Sequence, residues 1–155
     1  MSSEERKVQE IQQRRGQEDL DRQWTFGATR VVQDNADHLW TALINAVKSE
    51  VEKFSKLEPS AKDLRASMQN SRHLLVHTSQ FPLVKLNIRR TIGGYVSADL
   101  THIKHSMGVP EEWAPVQIYF GVDRNSRPCF EIDDSEGTPL EAAEALLDST
   151  FRLFF

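Results

Sequence analysis

The chain has 155 residues, 39% hydrophobic and 27% charged, with a formal net charge of -4. This is the size and composition of one domain with a self-sufficient core, and it is not the strongly basic composition of a nucleic-acid binder. One cysteine, Cys129, leaves no internal disulfide framework, and neither a secretory apolar run at the N-terminus nor a membrane-length apolar stretch occurs, so a cytoplasmic protein with no membrane partner is expected.

The charge is unevenly spread. Residues 59 to 110 carry 7 basic and 2 acidic side chains, hence +5, while residues 111 to 155 carry 3 and 10, hence -7. The basic middle can meet anions or be compensated by the acidic end of the same chain.

Residues 4 to 22, the bulk of an N-terminal segment 1 to 22, are almost wholly charged or amide-bearing, with Val8, Ile11 and Leu20 as the large apolar exceptions and Gly16 as an interruption. They read as a flexible or solvent-exposed helical arm, followed by a single domain over 23 to 155. Trp24 and Phe26 mark where the chain meets the body of the domain, and residues 28 to 32 continue as an early helical turn. From Asp34 to Leu57 the apolar residues Ala36, Leu39, Trp40, Leu43, Val47, Val51 and Phe54 recur at helical spacing. Asp34 or Asn35 is expected to cap this helix and Pro59 to stop it. Residues 60 to 71 read as a connection containing a helical turn.

From 72 to 133 the period changes to two. Val84, Leu86, Ile88 and Ile92 alternate with Lys85, Asn87, Arg89 and Thr91, leaving Arg90 as the polar exception on the apolar side, and Val96, Ala98 and Leu100 alternate likewise. Pairing even with even requires an odd loop. A loop of Gly93, Gly94 and Tyr95 would pair Ile92 with Val96 and set Arg89 opposite Asp99. The same parity, through a loop from Asp123 to Arg127, pairs Phe120 with Phe130 and puts Pro128 at a strand start. Thr138, Pro139 and Glu141 form a capping box, and the helix that follows presents Leu140, Ala143, Leu147, Phe151 and Phe154 on one face. Leu153 and Phe155 should point elsewhere. The result is an α+β two-layer domain, with an antiparallel sheet of about four to five strands packed by a long helix and a C-terminal helix.

No catalytic set assembles. His73, His77, His102 and His105 near Asp99 lack the spacing of a metal site, and scattered surface histidines account for them. Cys129 sits on a strand, away from a helix N-terminus that would stabilise a thiolate. Lys85, Arg89, Arg90 and Lys104 with Tyr95 make too poor a stacking platform for nucleic acid. Glu111-Glu112-Trp113 reads as an acidic helical turn. No metal and no cofactor is expected. The leading expectation is a non-catalytic protein-interaction module, of adaptor or chaperone-like kind, that binds a protein partner or itself as a homodimer, through Trp24, Phe26, Leu153 and Phe155. An acidic two-layer α/β dimer of this size resembles secretion-type chaperones in general form, without a shared motif. The alternative is a small-molecule-binding domain or enzyme, with a pocket between sheet and main helix lined by His38, Arg90 and His102.

Overall fold

The computed structural model describes residues 2 to 92 and 94 to 155, with side chains described for 2 to 15, 35 to 92 and 94 to 155. It is an α+β fold with an antiparallel sheet. Helix α1 runs from Ser3 to Leu57, a single 3₁₀ turn spans Pro59–Ala61, and helix α2 spans Pro139–Arg152. Among the described residues the sheet has eight strands, not the four to five expected. They are β1 (Arg65–Asn70), β2 (His73–His77), β3 (Leu83–Arg90), β4 (Tyr95–Ile103), β5 (Glu111–Glu112), β6 (Val116–Val122), β7 (Pro128–Ile132) and β8 (Ser135–Gly137). Their order is β1-β2-β3-β4-β6-β7-β8, with β5 paired to β4.

The helix boundaries follow from caps. α1 begins at Ser2, not at Asp34 or Asn35, because Ser2 and Glu5 form a reciprocal capping box: Glu5 N–H donates to Ser2 Oγ and Ser2 N–H to Glu5 Oε2, both at 3.2 Å. Thr138 and Glu141 repeat the device at α2, as the sequence predicts. Glu58, extended before Pro59, ends α1. The backbone of α1 continues through residues 22 and 23, and the described side chains at 2 to 15 are exposed.

Both helices cover the even-numbered face of the sheet. The α1 stripe of Ala36, Leu39, Trp40, Leu43, Val47 and Val51 is buried against even positions from Leu74 and Val76 to Ile118, Phe120 and Phe130. Each such side chain contributes roughly 1.5–3 kcal/mol when fully buried. On α2 the buried face is Ala142, Ala143, Leu146, Leu147 and Thr150, whereas Leu140, expected inside, is 47% exposed at the helix start. Trp40 Nε1–H donates to Ser71 O at 2.8 Å and so ties α1 to the β1–β2 turn.

The parity argument holds, but one register shifts by two. β3 and β4 pair Arg90 with Val96, Arg89 with Ser97 and Asn87 with Asp99. Thr91 closes the loop one step earlier than expected: its N–H and its hydroxyl both donate to Tyr95 O at 2.9 Å. Ile92, expected to pair inward with Val96, is left at the tip and 94% exposed, and Gly94 takes φ +84°. Arg89 still reaches Asp99, at 3.7 Å, now diagonally across the strands. Phe120 pairs with Phe130 as expected, and Pro128 opens β7.

Three strands correct the sequence reading. β1 occupies what reads as a connection, because Ala66 and Met68 can add a half-buried row to the sheet at its edge. Glu111 and Glu112 pair with His102 and Thr101 as β5 and form no helical turn. Asp133 and Asp134 take φ +48° and +65° as a two-residue hairpin turn, so Ser135 to Gly137 folds back as β8.

The anchoring role of Trp40 is measurable. Trp40→Ala is expected to lower unfolding free energy by about 3 kcal/mol or more in denaturant melts, through the cavity it leaves. Trp40→Phe, which keeps most of the volume and loses the bond to Ser71, should cost roughly 1 kcal/mol.

Candidate functional site

The C-terminal end of α1 meets the C-terminal end of α2 in an aromatic cluster. Phe54 stacks on Phe151 with ring centroids 4.0 Å apart and 13° between planes, and makes edge contacts with Phe154 at 5.8 Å and Phe155 at 6.0 Å. Ser60 Oγ–H donates to Phe154 O at 3.2 Å and holds the tail against the 3₁₀ turn. Leu153 is half-buried against the core, but Phe155 is 86% exposed and Leu57, at the end of α1, 83% exposed. The side chains of Trp24 and Phe26 lie outside the described residues.

The three polar residues expected to line a pocket do not converge. His38 is exposed on α1. Arg90 pairs with Asp37 and lies 5.8 Å from the centroid of the Phe120 ring. With Ala36, Arg72, Thr91, Ile92 and Gly94 it walls an open groove of about 180 Å³. His102 lies at the far end of the same hairpin, opposite Val84 where Arg90 is opposite Val96. Six strand residues separate those positions, about 20 Å.

His102 is nonetheless unusual. It is 4% exposed, and among the described residues neither ring nitrogen has a hydrogen-bond partner. Its Nδ1 is 3.7 Å from Glu111 Oε2, and Glu111 is also 3.4 Å from Lys104. An unsatisfied buried donor costs about 1–3 kcal/mol. His73 and His77 lie on the opposite, open face of the sheet, where His73 Nε2 is 2.8 Å from Asn87 Oδ1. Among the described residues no three His, Cys, Asp or Glu side chains gather as metal ligands.

Cys129 is half-buried on β7. Burial pushes its thiol pKa up, and Glu136, Asp123 and Glu131 push it further in the same direction. Such surroundings hold the sulfur protonated, the reverse of an activated nucleophile.

The larger grooves carry opposite charge. One of about 690 Å³ runs between α2 and β6–β8 and has Asp133, Glu136, Glu141, Glu144 and Asp148 in its walls. The other, about 500 Å³, lies between α1 and β1 and has Lys48, Lys56, Lys62 and Arg65. The charge split at residue 110 is the sequence signal of this polarity, since residues 59 to 110 build β1–β4 and the later residues build the rest of the sheet. The second groove escapes a sequence reading because β1 does. No protein family, curated protein or solved structure matches the chain.

Two outcomes are expected. Replacing His102 with Leu removes a buried unsatisfied donor, so unfolding free energy should stay unchanged or rise by about 1 kcal/mol in denaturant melts. Because a raised pKa lowers the thiolate fraction at any given pH, the pH midpoint for alkylation of Cys129 should lie above that of free cysteine. It should fall toward the free value in Glu136→Gln and on unfolding.

Proposed function

We propose that this chain is a non-catalytic protein-interaction domain that associates with a second copy through the end carrying Leu57 and Phe155. The observation that carries the reading is an aromatic cluster built by both helices and continued outward by side chains that water covers. A cluster of this kind is apolar at its surface as well as within, and apolar ends of helices are where subunits meet. A second copy offers the same patch, so a symmetric dimer closes it with itself. The filled interface between sheet and helices supports the same reading. Leu43, Val47, Leu74, Ile88 and Ile118 are all 0% exposed, so side chains fill the centre of the layer interface, and the open groove at its β1 margin is lined by none of His38, Arg90 and His102, the residues of the small-molecule alternative. The groove beside Arg90, about 180 Å³, is smaller than the roughly 300–1,000 Å³ usual for ligand pockets.

Light scattering at high micromolar concentration is expected to give twice the monomer mass. Leu57→Glu combined with Phe155→Glu, both at exposed positions, should give the monomer mass with an unchanged far-ultraviolet circular-dichroism spectrum. Deleting Leu153 to Phe155 should do the same with some loss of stability, since Leu153 is half-buried. An intact chain that is monomeric at that concentration refutes the dimer.

A further inference from the structure

Strand β1 is one edge of the sheet and, among the described residues, pairs only with β2. About half of its main-chain N–H and C=O groups therefore point away from the sheet. Along that edge lies the groove of about 500 Å³ bounded on its other side by α1. Its floor is apolar, with Val51 and Leu64 buried and Ala66 half-buried. Its rim is cationic. Lys48 and Lys56 come from α1, Lys62 from the approach to β1 and Arg65 from its first position, against the carboxylate of Glu52, which Lys56 already engages at 2.9 Å. Lys48 and Lys62 make no ion pair among the described residues. Arg65 Nη1 donates to the carbonyls of Lys62 and Leu64, at 2.8 and 2.9 Å, and is thereby fixed at the groove's end. The register break between Met68 and Asn70 limits the regular edge to Arg65 through Met68.

We propose that this groove receives an extended acidic segment of a partner protein, added to β1 as a further strand. The inference rests on the reading of the chain as a protein-interaction domain, and it uses side chains other than Leu57 and Phe155. Three features match one occupant. The open edge supplies backbone pairing, the apolar floor takes the side chains that face α1, Arg65 on the other face of the sheet meets the alternate carboxylates, and Lys48, Lys56 and Lys62 draw an acidic segment into the groove by longer-range attraction. The same rim repels a second β1 edge, so it selects an acidic strand over edge-to-edge pairing of two copies.

The probe is a capped, fluorescently labelled peptide alternating Glu and Val, about eight residues long so that it overruns the edge. Fluorescence anisotropy with the full chain at low salt is expected to show saturable binding, and the matching Lys–Val peptide none. Lys48→Glu with Lys62→Glu should weaken binding at least about tenfold, with circular dichroism unchanged because both side chains are exposed. The Glu–Val peptide N-methylated at every residue keeps the charge and loses its strand donors whichever edge faces β1, and it too should bind at least about tenfold more weakly. Absence of saturable binding overturns the proposal. So does equal binding of the N-methylated peptide, which would make the groove a general anion site, or tighter binding of a single-stranded oligonucleotide lost in the double variant. Light scattering on the same samples separates the two readings: a dimer that ignores the peptide refutes the strand site alone, and a monomer that binds it refutes the dimer alone.

Discussion

The fold depends on the match between one helix stripe and one sheet face. α1 repeats its apolar residues every three to four positions, while the strands repeat theirs every two, and the two patterns meet because the buried strand side chains of β2, β3, β4, β6 and β7 share one parity, the buried odd positions Gly121 and Gly137 carrying no side chain. Leu74, Leu86, Ala98, Ile118 and Phe130 come from five different strands and all lie on the helix side. A slip of one residue in any pairing would send a hydrophobic row into water and a charged row into the core. A slip of two does not, and that freedom is the one the β3–β4 hairpin uses.

Charge organises the molecule at a second level. The sheet runs from a basic edge at β1 to an acidic edge at β8, with α2 extending the acidic side. Among the described residues the ion pair that crosses between the two segments is that of Lys104 with Glu111, at the margin of β4. Neighbouring strands thus bring the halves side by side without neutralising either outer edge. A basic edge and an acidic groove at opposite ends leave the surface polar in the electrical sense and give each end its own class of partner.

The candidate surfaces differ in how far the residues announced them. Phe155 at the end of RLFF is visible as an apolar residue that a helix face cannot bury together with Phe151 and Phe154. Leu153 was expected beside it and is half-buried, because the helix tightens after Arg152, with the N–H groups of Leu153, Phe154 and Phe155 each donating to the carbonyl three residues back, and Phe154 O accepts from Ser60. Arg90, on the apolar side of β3, was legible as an exception. Its partners were not, because Asp37 lies 53 residues away and meets it only across the layers. His102 shows the same gap: its place on the inward row is plain, but the absence of a partner for either ring nitrogen is a property of packing.

From the sequence alone came the α1 stripe, the even-inward parity, the pairing of Phe120 with Phe130, the second capping box and the asymmetry of charge. These are set by local geometry, since helix and strand periods and cap chemistry act over a few residues. Tertiary structure alone decided that residues 65 to 70 become an edge strand, that Glu111 and Glu112 bridge to β4, and that the β3–β4 loop closes at Thr91 instead of Ile92. In each case the local signal is weak or compatible with several answers. The choice falls to whichever arrangement pairs the most backbone groups while keeping the inward row apolar, and that is known only once the neighbouring strands are in place.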